Sequence, residues 1–178
     1  LDTKTQGIDI VAEHGMEFGD SSRLDLTALL HWNKTEVTKR KSQSAILPPD
    51  RLFDDTQVTL IEQGQPRAHH VLQGVYTVGD WSFLARANYF GSVSGEGFTP
   101  GIKQTWGGEW LGDIAIGYRF NDSLKLTIGA NNVFDAYPDK WDPVKGAPFP
   151  QLGFKYGWET LPFGTNGGYY YAKLDFRF

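Results

Sequence analysis

The chain of 178 residues contains no cysteine and a single methionine. Without cysteine there is neither a disulfide framework nor thiolate chemistry. Basic side chains number 17 against 21 acidic ones, a net charge of −4. That balance lacks the basic stripe of a dedicated nucleic-acid binder. No run approaches the roughly 18 apolar residues of a helical membrane span. The opening LDTKTQGIDIV has neither a basic leader nor an apolar signal core, and reads as the start of a segment already inside a fold. What is present is aromatic and flexible: 12 Phe, 8 Tyr, 6 Trp and 21 Gly. Aromatics combined with frequent turns point to strands. The mean hydropathy of −0.39 suits a soluble protein, and equally a barrel whose strands each turn one face to a wet lumen.

Period-two alternation recurs about seven times. In residues 5–18, Ile8, Ile10, Ala12, Met16 and Phe18 share one face, with His14 the exception, and Asp9, Glu13 and Glu17 take the other. In residues 22–37, Leu24, Leu26, Ala28, Leu30 and Trp32 oppose Arg23, Asp25, Thr27, His31 and Asn33. Further stretches cover residues 67–78, 81–90, 106–120, 124–133 and 168–178. Trp106, Trp110, Ile114, Ile116, Tyr118 and Phe120 are aligned in the fifth, and Tyr170, Ala172, Leu174, Phe176 and Phe178 in the last. Short turns at residues 19–21, 79–80 and 121–122 alternate with long loops at 38–66, 91–105 and 134–167. A helical turn is expected within residues 49–54. The third loop is marked by Pro138, Pro143, Pro148, Pro150 and Pro162.

Strands of about ten residues, short turns at one end, long loops at the other and aromatics near strand ends are the pattern of an outer-membrane barrel. Backbone groups in hydrocarbon find no water, so such strands must close into a ring. The expected fold is therefore all-β: an antiparallel transmembrane β-barrel segment of about seven strands, with short periplasmic turns and long extracellular loops. Seven is odd and leaves two open edges. The simplest resolution is a C-terminal part of a larger barrel; a miscounted strand and closure by several copies are the alternatives.

Several motifs carry a family resemblance. LTIGANNVFDAYPDKW supplies Gly129, Asn131, Asn132, Val133, Phe134, Asp135, Tyr137 and Pro138 in a GxxNLFD-like arrangement followed by a tyrosine and a proline. LPFGTNGGYYYAKLDFRF ends a PFG-led strand on Phe178, and NKTEVTK, IEQGQPR and LARANYFG lie between. The set resembles the barrel of TonB-dependent outer-membrane receptors over essentially the whole chain. The resemblance implies the C-terminal segment of a 22-stranded barrel in the outer membrane of a Gram-negative bacterium. The full receptor takes up a scarce nutrient such as an iron–siderophore complex. It also implies as partners a plug domain and the remaining strands, TonB, outer-membrane lipid, and an assembly machinery that reads the terminal Phe178. No plug and no TonB box are matched in these residues.

Candidate ligand contacts are Arg40 and Lys41, which would attract an anionic iron chelate, and Tyr137, Trp141, Phe149 and Tyr156, which would stack on a planar ligand. His31, Arg86, Arg119, Lys125, Lys173 and Arg177 are expected to face the lumen or plug. His69 and His70 point to opposite faces of one strand, which disfavours a metal pair. Glu36, Asp54 and Asp55 read as solvated acids. No catalytic constellation is visible, so the chain is read as no enzyme, with no cofactor, metal or nucleic acid. A passive porin-type channel and a soluble β-sandwich binding module with aromatic loops remain as alternatives.

Overall fold

The computed structural model describes residues 1–42, 46–97, 99, 101–157 and 159–178. Among the described residues nine strands and two α-helices follow in the order β1 (Asp2–Phe18), β2 (Ser22–Lys39), α1 (Pro49–Leu52), α2 (Asp55–Gln63), β3 (Ala68–Val78), β4 (Trp81–Phe90), β5 (Val93–Glu96), β6 (Lys103–Trp106), β7 (Glu109–Asn121), β8 (Leu124–Asn131) and β9 (Tyr169–Phe176), with a short 3-10 helix at Pro150–Leu152 before β9. Seven form one sheet in the order β1-β2-β3-β4-β7-β8-β9, each neighbour antiparallel, while β5 and β6 pair in a separate hairpin. No helix among the described residues is long and apolar enough to cross a membrane.

Alternation sets the register. Because side chains on a strand alternate faces, a pairing that matches apolar rows must hold across every neighbour. One row reads Met16, Leu24, Tyr76, Phe83, Ile116, Ile128 and Ala172 from edge to edge. The opposite face carries Glu13, Thr27, Gln73, Arg86 and Asp113 in one row. Tight turns keep that register: Gly79 adopts φ 54° between β3 and β4, a conformation that carries no steric penalty for glycine. The three short turns share one end of the sheet, and the three long connections share the other.

The apolar face is exposed. Ile8, Ile10, Leu26, Leu30, Leu72, Phe83, Trp110, Ile114, Ile116 and Ile128 are all open on it. Aromatics concentrate toward its two ends, with Trp81, Tyr118 and Phe120 near the short turns and Tyr89 and Trp110 near the loops. Between them lies a shallow groove of about 640 Å³, walled largely by small residues such as Ala12, Ala28, Gly74, Ala85 and Gly112. A continuous apolar area of this extent marks a surface that meets something other than water.

The expectation of a transmembrane β-barrel segment is corrected here. The chain is all-β, but it forms two separate open sheets: β1 and β9 each pair on one side only. A strand with an unpaired edge leaves backbone donors and acceptors unmet, and hydrocarbon does not tolerate that. The described residues therefore form an open sheet and not the closed wall of a transmembrane barrel or porin-type channel. The fifth stretch is also corrected. Trp106 does not continue the row of Trp110 and Ile114; Gly107 and Gly108 interrupt the chain, and Trp106 ends β6 in the other sheet.

The buried core lies in the long connections rather than in the sheet. Val93, Trp106 and Trp141 form it, with Phe149 and Leu161 packed against them. Trp106 is 1% exposed and meets Trp141 edge-on at 4.8 Å. These connections form an ordered cap over one end of the sheet.

Candidate functional site

Three segments build the cap, and each has a local reason for its shape. Helix α2 begins at Asp54, whose carboxylate accepts the Gln57 backbone N–H at 2.9 Å, and stops at Gly64. Asp-x-x-Gln before an apolar run is a capping-box pattern. The helix is tied to the β5–β6 hairpin through Glu96, which accepts from Thr56 Oγ1 (2.8 Å), Thr59 Oγ1 (3.4 Å) and the Gly101 N–H (3.1 Å). It is tied to β2 through Glu62, which accepts the Val37 N–H at 2.7 Å.

The third connection is held by two anchors. Buried Gln104 on β6 donates to the Lys140 carbonyl and accepts from the Asp142 N–H, each at 2.7 Å. Asp142 in turn accepts the Val144 and Lys145 N–H groups at 2.8 Å. Those two backbone donors, Lys145 first, hold the Asp142 carboxyl below its ordinary range. The second anchor is Asp113 on β7. It accepts from Asn88 Nδ2 at 3.0 Å and from the Asn132 N–H at 2.9 Å, with Arg86 3.9 Å away. Asn132 adopts φ 48° and bonds Ala136 with both ends of its amide. Asn tolerates that left-handed conformation better than most residues.

Where α2, the hairpin and the third connection meet there is a cavity of about 560 Å³. Its walls include Trp106, Trp141, Phe149 and Leu60, the polar Gln57, Thr56 and Thr160, and the carboxylates of Asp54, Glu96 and Glu159. No Lys, Arg or His stands among its described lining residues. The indole N–H groups of Trp106 and Trp141 are buried and find no acceptor among the described residues. The size falls within the range of about 300–1,000 Å³ typical of small-molecule sites, and apolar walls with a few placed polar groups are the usual composition.

Of the ligand contacts expected from sequence, the structure brings Trp141 and Phe149 to this cavity. The other four lie outside its lining. Arg40 donates to the Phe53 carbonyl at 3.1 Å and to Asp55 at 2.6 Å, so it staples the first connection. Lys41 pairs with Asp2 at 2.6 Å. Both cations stand in ion pairs with acidic neighbours. Tyr137 and Tyr156 stack on each other at 6.3 Å, with Lys155 over the Tyr156 ring. A hydrogen bond to Asp135 raises the Tyr137 hydroxyl above its usual value.

The residues expected to face a lumen or plug line the polar side of the open sheet. Arg86 donates to Gln73 at 2.9 Å, Arg119 sits 3.6 Å from Asp80, and Lys173 pairs with Asp175 at 2.6 Å. Lys125 stands opposite Asp175, and the Arg177 N–H donates to the Ser123 carbonyl at 2.9 Å. His31 contacts Asp9, and its Nε2 accepts from Asn33 Nδ2 at 2.9 Å. His69 and His70 do point apart, each stacked on a neighbour ring, Phe90 and Tyr89 respectively. Burial, then the nearby His31 and His70, push the His69 imidazole below its ordinary value.

Glu96, Trp106, Glu159 and Thr160 went unforeseen as site residues. Trp106 was hidden by its fit to an alternating row, and Glu96 and Glu159 sit in loop sequence without periodicity. The Asp54–Gln57 capping pattern is a signal that could have located α2, which the helical turn expected within residues 49–54 stopped short of.

Comparison with known proteins returns no matching family model and no matching curated protein. Together with the open sheet, this overturns the receptor reading taken from the motifs. The outer-membrane location, the TonB-dependent uptake of an iron–siderophore complex, and the plug, remaining strands, TonB, lipid and Phe178-reading assembly partners all rested on a closed barrel of that family. The motif residues have local structural duties instead: Asn132 and Asp135 shape the entry to the third connection, and Gly129 leaves room for Tyr171, whose ring would lie 2.5 Å from an added methyl group.

Proposed function

We propose that the chain is a binding module rather than an enzyme, and that its cap cavity takes a small organic ligand without negative charge. One observation carries this reading. A cavity of about 560 Å³ is walled by three aromatic rings and three carboxylates, with no basic side chain among its described lining residues. Ionised carboxylates accept hydrogen bonds and repel anions. Glu96 already accepts from three donors, so its carboxylate is tied into the frame of the cap.

The test is a ligand screen by tryptophan fluorescence on the full chain, with the apolar face kept covered by a non-glycosidic detergent. Saturable binding of a neutral or cationic ligand, weakened by Trp141→Ala and recovered chemically unchanged by mass spectrometry, is the expected result. Binding confined to anions, or conversion of the ligand, would overturn the proposal.

A further inference from the structure

We propose that the apolar face of the large sheet is covered by a second copy of this chain, the two sheets packing face to face as an aligned sandwich about a two-fold axis. This interface lies on the sheet and does not depend on the cap cavity.

The chain exposes more surface than a folded monomer of its size. Its accessible area is 11658 Å², against about 8,700 Å² for a monomer of 20.0 kDa. The excess is about 3,000 Å². Six successive rows cross the apolar face without one Asp, Glu, Lys or Arg, from the row of Ile8 and Trp32 at the loop end to that of Phe18, Val78 and Trp81 at the turn end. With strands about 4.8 Å apart and about 6.7 Å between rows, they cover about 1,000 Å² in projection. A stable interface needs about 800 Å² from each partner.

The relief of the face is complementary to itself. Ile10, Leu30, His70, Tyr89 and Trp110 form a ridge across five strands. The next row, Ala12, Ala28, Leu72, Ala87 and Gly112, is a trough of small residues broken by Leu72, and Phe134 closes its end at Gly112. A two-fold axis parallel to the rows, midway between ridge and trough, sets the ridge of each copy into the trough of the other. Ile10, Leu30 and Tyr89 of one copy then lie over Ala12, Ala28 and Ala87 of the other, each strand over its own counterpart. An isologous interface requires this self-complementarity. Interdigitation of large and small side chains is also what fills the space between packed sheets.

A hydrocarbon surface would cover the same rows, but it would also reach the unpaired edges of β1 and β9, whose backbone groups would find no partner there. In the sandwich both edges stay at the rim, in water.

The experiment uses the full chain in detergent-free buffer. Sedimentation equilibrium is expected to give a dimer of twice 20.0 kDa. Because the chain has no cysteine, Glu13→Cys on β1 and Lys173→Cys on β9 can each carry a single spin label on the polar face. Face-to-face packing lays each edge strand over its own copy, so both label pairs should read within about 40 Å. Pairing through one sheet edge would bring only one of the two pairs that close. Ala28→Arg puts an unpaired charge in the trough and should weaken the dimer about tenfold or more. Thr27→Arg, its neighbour on the polar face, should leave the dimer unchanged. If the Ala28 variant fails to fold, the two label distances still test the interface. A monomer, a precipitate with no discrete dimer, a dimer with only one short distance, or transfer as a monomer to phosphatidylcholine vesicles would each overturn the proposal.

Discussion

Trp106 and Trp110 sit within one short stretch and belong to opposite regimes. Trp106 is 1% exposed in the cap core, while Trp110 is 45% exposed on the apolar face of the sheet. Their regions differ in the same way. The sheet has long strands, complete ladders between neighbours and a repeating row structure, yet it buries few large side chains. The cap has short elements and irregular backbone, yet it holds Val93, Trp106 and Trp141, the buried Gln104 and Asn132, and the cavity. Backbone ladders between neighbouring strands dominate the order of the sheet. Side-chain packing and side-chain-to-backbone bonds order the cap. Regular secondary structure and a buried core are separable properties, and in this chain they lie in different places.

The two tryptophans offer the largest test of that separation. Trp106→Ala should cost about 3–5 kcal/mol, because it removes the centre of the only buried aromatic cluster among the described residues. Trp110→Ala should cost about 0.5 kcal/mol or less when the face is covered by detergent. Thermal unfolding of the two variants checks this, and equal losses would erase the distinction between the regions.

Next in size is the joint between them. Asp113→Ala removes the acceptor for Asn88 and for the Asn132 N–H, and should cost about 2 kcal/mol. Amide exchange should quicken through residues 132–136 and stay slow in β2 and β3. Uniform quickening would mean that sheet and cap unfold as one unit. A smaller effect is confined to the sheet: Gly79→Ala, at φ 54°, should cost about 1 kcal/mol and leave ligand affinity unaltered.

Acidification separates the regions with the least perturbation. His69 has a folded value below its ordinary 6.5, so its share of stability is complete above that value and is lost as pH falls through the lower folded one. Asp142 is likewise depressed below its ordinary 3.8, so its share persists above that value and disappears only at more acid pH. Proton titration followed by NMR should show the β3 end of the sheet responding first and the turn at residues 142–145 later. The reverse order would contradict both assignments. His69→Leu should flatten the first step and spare the second.

The legible part of the molecule was the part governed by short-range rules. Alternation located each strand of the large sheet within a few residues at its ends, Gly79 and Gly19 marked turns, and the adjacent histidines were placed on opposite faces. Misreadings arose where a local pattern was compatible with two tertiary arrangements. Trp106 has the parity to extend the row of Trp110, but two glycines let the chain leave that sheet. Arg40 and Lys41 look like free cations until Asp55 and Asp2 are found beside them. Alternating strands with aromatic ends are equally the makings of a ring and of an open sheet, because the pattern describes faces and not how edges are met.

The sequence by itself determined the seven strands of the large sheet, the short turns and the division of each of those strands into an apolar and a polar side. All of these follow from a period of two and from glycine backbone freedom, which act between near neighbours. Only the tertiary structure decided that the large sheet stays open, that the core sits in the loops, and that Asp54, Glu96, Trp106, Trp141 and Glu159 share one cavity. Those outcomes depend on contacts between residues far apart in the chain, such as Gln104 with Asp142 and Thr56 with Glu96. No local periodicity encodes them.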